Sequence, residues 1–356
     1  MLKKHSSLLL GLTLLAPIAH ASNNLSGGVW LNYTYLPDDK TNKKTNGRIG
    51  DEAFVLYANG EAEKGKGNWS YAAEFRVGPG SFTDKANNST GDAMAMHQAW
   101  VGFDLAEKYK LIVGKSQVPF GWKTVNFWPG DMLQGGYGDQ MDVGAKLTSD
   151  IDKLNYSVAY FLADDFGDDS TDTVDDNGHW GSSKTYRKVK TTVADLNYEV
   201  AKGHTIGFSA QSGKLQDLSS PSKDVDGSHS AWVIYYKTEI NNFYANAEFM
   251  KTSRDLPNAY VAKSKVEPKV ENQRIAAEFG YKMDKWNFYV DLMTAKPETK
   301  GNNSDSVYAI APGVTYNYGP GWVYLEYLKQ DGDIDRDGKV KHGDFSALYL
   351  TIDFYF

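Results

Sequence analysis

Alternate aspartates are the sharpest chemical signal in this chain. The run Asp333-Ile334-Asp335-Arg336-Asp337-Gly338-Lys339 is followed at Asp344 by a further carboxylate. A hard divalent cation takes six to eight oxygens, and a D-x-D-x-D-G run can wrap them around it. The carboxylates supply most, the carbonyl of Lys339 another, and the glycine the sharp turn. Structural Ca2+ on Asp333, Asp335, Asp337, Lys339 and Asp344 is therefore one expectation; an acidic hairpin loop without metal is the other. A second segment, 117–137, puts Trp122, Phe127 and Trp128 among Pro119, Gly121, Pro129 and Gly130. Three aromatic rings in a turn-rich stretch need a dry surface to pack on, and Lys115, Lys123 and Asp131 bring charge beside them. Catalysis finds no comparable pattern. The histidines have no metal-ligand spacing, no G-x-S-x-G elbow is present, and a thiol nucleophile is excluded because the chain has no cysteine. The expectation is a protein without enzymatic activity and without a cofactor beyond that Ca2+.

The elements that would position these residues are strands. In the last eleven residues Leu348, Leu350, Ile352, Phe354 and Phe356 alternate with Tyr349, Thr351, Asp353 and Tyr355. Strict period-two alternation is the pattern of a half-buried strand. It recurs with Tyr71, Ala73, Phe75 and Val77 against Ser70, Ala72, Glu74 and Arg76. Phe243 to Phe249, Ile275 to Phe279 and Val323 to Tyr327 repeat it. One face is apolar throughout, whereas the other carries both signs of charge. About sixteen such strands can be counted, centred near residues 30, 56, 73, 99, 112, 143, 159, 194, 209, 235, 248, 276, 290, 312, 325 and 351. Their links alternate between seven short turns and eight long loops, the long ones near 37–48, 79–92, 117–137, 164–187, 216–228, 254–270, 296–305 and 331–342.

That asymmetry, with Trp69, Tyr109, Phe243, Trp286 and Trp322 just after short turns, fits a membrane-spanning barrel. Apolar faces would meet lipid, and polar faces would line water. The fold class expected is all-β: a transmembrane antiparallel up-and-down barrel of residues 22–356, with short periplasmic turns and long external loops. Mean hydropathy is -0.51 despite 23 tyrosines, 16 phenylalanines and 9 tryptophans, as expected when lipid-facing and water-facing residues cancel in any window. Before the barrel, Lys3-Lys4, an apolar run from Leu8 to Ile18 and Ala19-His20-Ala21 read as a secretory signal peptide over residues 1–21. The formal net charge of -7 gives no basic field for nucleic acid.

The alternation turns a set of charges toward the lumen: Glu74, Arg76, Lys110, Asp142, Lys146, Glu248, Arg274, Glu278, Lys282, Asp291 and Glu326. Mixed signs predict either a transverse field across a water-filled pore or ion pairs along the wall.

With these features in place, the chain resembles the trimeric Gram-negative outer-membrane porins. Val113-Gly-Lys-Ser-Gln-Val-Pro-Phe-Gly121 is similar to the strand end before the third loop in phosphate-selective and related anion or sugar porins. The resemblance implies a third loop folded into the lumen, with a constriction formed by Lys115, Trp122, Lys123, Trp128 and Asp131. The alternative is a loop packed on a neighbouring subunit. It further implies a homotrimer in contact with outer-membrane lipid and lipopolysaccharide. The function expected is passive diffusion of small hydrophilic solutes or ions. A channel selective for phosphate, another anion or a sugar, and a non-conducting structural or adhesion barrel, remain alternatives. The aspartate run is also similar to EF-hand and dockerin calcium loops; its final Asp matches the second rather than the first.

Overall fold

The computed structural model describes residues 21–79, 94–127, 140–167 and 185–356. The expected signal segment up to residue 20, Trp128 and Asp131 of the third loop, and Asp168-Asp169 and Asp175-Asp176 of the fourth lie outside these residues.

Sixteen antiparallel strands form one closed barrel, each paired with its neighbours in sequence and the last with the first. They are β1 (Ala21–Tyr35), β2 (Arg48–Ala62), β3 (Trp69–Val77), β4 (Met94–Ala106), β5 (Tyr109–Gln117), β6 (Met141–Ile151), β7 (Leu154–Ala163) and β8 (Tyr186–Ala201). The second half is β9 (His204–Asp217), β10 (Gly227–Ile240), β11 (Phe243–Asp255), β12 (Lys269–Met283), β13 (Trp286–Pro297), β14 (Val307–Asn317), β15 (Trp322–Ile334) and β16 (Val340–Tyr355). Among the described residues two short helices sit in loops, α1 (Lys40–Lys44) in the first and α2 (Asn258–Ser264) in the sixth. The hydropathy pattern did not announce either. Asp39 caps α1 by accepting the Asn42 N–H at 2.6 Å. Every expected strand is present, and the dyad faces fall as read: Phe354, Ile352, Leu325, Ile275 and Phe279 point outward and exposed, whereas Asp353, Thr351, Glu326 and Glu278 are buried inward.

Local chemistry accounts for the turns. Two-residue hairpins of the tightest kind need left-handed backbone, which Asn, Asp and Gly tolerate best. Asp152, Asn241 and Asp284 each adopt φ between 52° and 57° at such turns. At the same end, rings pair across strands, Phe243 with Tyr281 at 4.6 Å and Trp286 with Tyr316 at 4.5 Å between centroids. The eighth loop departs from expectation. Residues 331–342 do not form a long loop, because β15 and β16 go on pairing to Ile334↔Val340 and leave only Asp335–Lys339 as the turn. A register shift between Gln330 and Gly332 lets the ribbon bend there.

Inside, tyrosines lie flat on glycines of the next strand. Tyr235 is opposite Gly207, and Tyr244 opposite Gly280. A Cβ at either glycine would collide with the ring. The rings thereby cover the wall and leave the lumen clear of their bulk. Gly280→Val should lower the unfolding free energy of the folded barrel by roughly 1–3 kcal/mol through overpacking. Urea titration monitored by the heat-modifiable gel shift measures it, and an unchanged midpoint would contradict the packing described.

Candidate functional site

The third loop enters the lumen. Gln117 receives the Lys146 ammonium on its carbonyl at 2.6 Å, and Val118 donates its N–H to Gln140 at 2.8 Å, extending the β5–β6 pairing inward. From there Val118, Phe120 and Trp122 pack against Phe161, Val193, Val233, Met250 and Ala276 on the inner faces of β7 to β12. Burying a large apolar side chain contributes about 1.5–3 kcal/mol, so these residues are held firmly. This part of the lumen wall is an apolar core beneath the loop, not the water-lined surface that alternation alone implied. Trp122 thus packs between the loop and the wall, with 5% of its surface exposed.

Hydrogen bonds then pin the backbone strand by strand. Ser209 on β9 accepts the Gly121 N–H at 2.9 Å, Glu278 on β12 accepts Val125 at 2.7 Å, and Glu326 on β15 accepts Phe127 at 2.6 Å. Each wall acceptor is itself oriented. Ser209 donates to Asp195 at 2.7 Å, Asn246 donates to Glu278 at 3.0 Å, and Tyr289 donates to Glu326 at 2.8 Å. Finally the Phe127 ring meets Trp30 of β1 edge-on at 5.4 Å and Tyr324 at 5.2 Å. The ten residues 118–127 can span roughly 33 Å when extended. Sixteen strands about 4.8 Å apart and tilted about 40° enclose a lumen roughly 30 Å across between backbones. The loop is therefore long enough to cross the barrel, and its contacts run from β6 to β1.

Of the charges read as pore lining, Glu278 and Glu326 hold the loop. Glu248 is buried beside Gly121, and Asp291 faces Glu278 directly across the β12–β13 ladder. Arg76 bonds Glu74 at 2.7 Å and lies over the Trp30 ring at 4.9 Å. Lys110 lies over Trp100 at 5.6 Å, and Lys282 bonds Glu239 at 2.8 Å. Asp142 and Arg274 are buried on the wall. Lys115, expected at the constriction, is buried and paired with Asp165 at 2.9 Å at the root of the fourth loop. Lys123 is exposed on the loop, within electrostatic reach of Lys146. Mixed signs along the wall thus resolve in part into ion pairs and loop anchors. Ser209 and Asp195 were not singled out in the sequence, since nothing local marks which inward polar residue a distant loop will meet.

The five residues of the calcium-like run are not gathered around one point. Asp335 Oδ1 accepts the N–H groups of Asp337 and Lys339, both at 3.0 Å, and so closes the turn. Asp337 accepts the Tyr260 hydroxyl at 2.7 Å. Asp333 stands opposite Lys341 within the ladder, and Asp344 is exposed further along β16. Among the described residues no group of three or more His, Cys, Asp or Glu is arranged to hold a metal ion. Pairing as far as Ile334↔Val340 holds Asp333 in β15, leaves Asp335 and Asp337 in the turn and carries Asp344 into β16.

No protein-family model matches the chain, and no curated protein matches it in sequence. Solved structures match its fold. OmpF of Salmonella typhi in complex with daunomycin aligns with 94% of this chain and 97% of its own, at a TM-score of 0.66 and 12% identity. The trimer form of the Vibrio cholerae outer-membrane protein OmpT covers 95% and 100%, at 0.64 and 14%. An anion-selective porin from Comamonas acidovorans covers 95% and 100%, at 0.60 and 13%. The fold is therefore that of the sixteen-strand porin barrel.

Hydrogen bonds to charged acceptors contribute about 1.5–3 kcal/mol. Replacing Glu278 and Glu326 together by alanine should therefore speed amide exchange at Val125 and Phe127 by roughly ten-fold or more, with the barrel intact. Exchange mass spectrometry on the refolded protein reads this, and unchanged protection would show that the loop is held otherwise.

Proposed function

We propose that this protein is an outer-membrane porin, a channel for passive diffusion of small hydrophilic solutes, with the third loop as its constriction. The observation that carries the reading is the path of residues 118–127, buried on one inner wall and pinned by Ser209, Glu278 and Glu326. A loop so fixed narrows the lumen without sealing it by default, and it concentrates the remaining path where polar and charged side chains stand. The apolar outward faces and the ring pairs beside the short turns support residence in the bacterial outer membrane, with those turns on the periplasmic side. Likeness to an outer-membrane protein in a trimer form supports a homotrimer, and the apolar outward faces suit contact with lipid and lipopolysaccharide.

A second reading, a solute-selective channel, draws support from Trp30, Phe127 and Tyr324 clustered where the loop reaches β1, with Arg76 over Trp30. Rings there could stack on a sugar, and the guanidinium could meet an anion.

Planar-bilayer recording tests both. The purified protein should give ohmic current, and removal of residues 122–134 should raise single-channel conductance by roughly two-fold or more. Current blocked by a particular sugar or anion would favour the selective channel. A protein that inserts yet never conducts would refute the porin reading.

A further inference from the structure

The turn between β15 and β16 touches strands on the far side of the ring. Counting round the barrel from β15 through β14 to β8 takes seven steps, close to the eight that separate opposite strands. Yet the Arg336 guanidinium lies 4.0 Å from the centre of the Tyr186 ring, at the start of β8. Its Nη2 donates to the Tyr186 carbonyl at 3.0 Å, and its Nη1 donates to the Thr185 hydroxyl. Tyr186 answers by donating its own hydroxyl to the Arg336 carbonyl at 2.8 Å. Reciprocal bonds of this kind fix both the distance and the orientation of the two chains.

Two intermediate loops support the crossing. Tyr260 on α2 donates to Asp337 at 2.7 Å and packs edge-on against Tyr186 at 5.3 Å. Its phenol is raised above its ordinary titration range, first by burial and then by the Asp337 carboxylate, so it remains a donor. Asn302 in the seventh loop donates to the Gly338 carbonyl at 2.7 Å. Gly338 itself has φ of +75°, and a Cβ there would strike Thr299 and come within 3.0 Å of Val270. Beneath the tip, Ile334 is buried on the inner wall beside Val307 and Leu328. Tyr186 and Tyr260 are buried in turn with Leu215, Leu256 and Val270.

We propose that the β15–β16 turn is a strap across the external mouth, fixed at Arg336 and Asp337, and that it forms an outer size filter in series with the third loop. A chord joining β15 to β8 roofs the half of the barrel above β8–β15. That is the half whose inner wall the third loop also covers. Hydrophilic solutes then enter over the other half, and long or branched ones meet the strap first. The filtering role rests on the channel reading above; the position of the strap does not.

The test uses the full-length protein in planar bilayers and in liposomes. The Arg336→Ala/Asp337→Ala variant should show conductance raised about 1.5-fold or more, and liposomes containing it should swell faster in tri- and tetrasaccharides while monosaccharide rates change little. Wild-type and variant channels that conduct identically and admit the same sugars would overturn the filter while leaving the channel reading intact. A wild-type protein that never conducts would instead defeat the channel reading and the filter with it. Because the chain has no cysteine, Thr185→Cys/Arg336→Cys gives one pair for a short bifunctional thiol reagent, and this reads the strap without transport. Efficient intramolecular cross-linking is expected, and it should bring the raised conductance of this Arg336-lacking pair back to the wild-type level. Failure to cross-link in the folded barrel would remove the strap, including where the alanine variant does not assemble.

Discussion

In a bilayer, no water is available for an unpaired backbone N–H or C=O, so a sheet can cross only by closing on itself. Here the closure lies between β1 and β16, whose residues pair from Gly28↔Tyr355 to Tyr35↔Leu348. Gly27 and Phe356 finish the seam by exchanging two backbone bonds of 2.9 Å. The Phe356 ring rests over Gly27, where a Cβ would stand 2.8 Å from it. The other fifteen pairings are local hairpins. This one joins the first strand to the last, and without it every strand loses its defined inside.

Closure creates an interior that one loop then divides. Only because the wall is continuous can acceptors on β9, β12 and β15 line up along the course of a loop rooted between β5 and β6. The wall beneath Val118, Phe120 and Trp122 is correspondingly apolar, so the inward face of the barrel is a core on one side and polar on the other. This is how a barrel can hold a long inward loop firmly against one wall. Buried contacts supply the affinity of loop for wall, and charge-assisted bonds to backbone fix its register.

The long-loop end of the barrel follows the same logic with weaker means. The tip at Arg336 and Asp337 gains position from the Tyr186 ring, hydroxyl and carbonyl, the Thr185 hydroxyl and the Tyr260 phenol. Asp335 spends its carboxylate on the backbone of the turn. The tight turn that results presents Arg336 to Tyr186 and Thr185 at the start of β8.

Sequence by itself determined the strands, their number, their lipid-facing sides and most of the turns. Each of these depends on neighbours one or two residues away: alternation sets the face, and Asn, Asp and Gly set the hairpins. Legible too was a third loop too aromatic to remain in water. What only the tertiary structure decided was which inward residues meet one another. Glu278 and Glu326 look alike in sequence to any lumen charge, and they became anchors because barrel curvature brings them to Val125 and Phe127. Lys115 likewise went to Asp165, fifty residues away. The aspartate run shows the same dependence, since Asp335 turns to the backbone of its own turn and Asp337 to the Tyr260 hydroxyl. Periodicity is a property of the chain, whereas encounters across a lumen are properties of the closed ring.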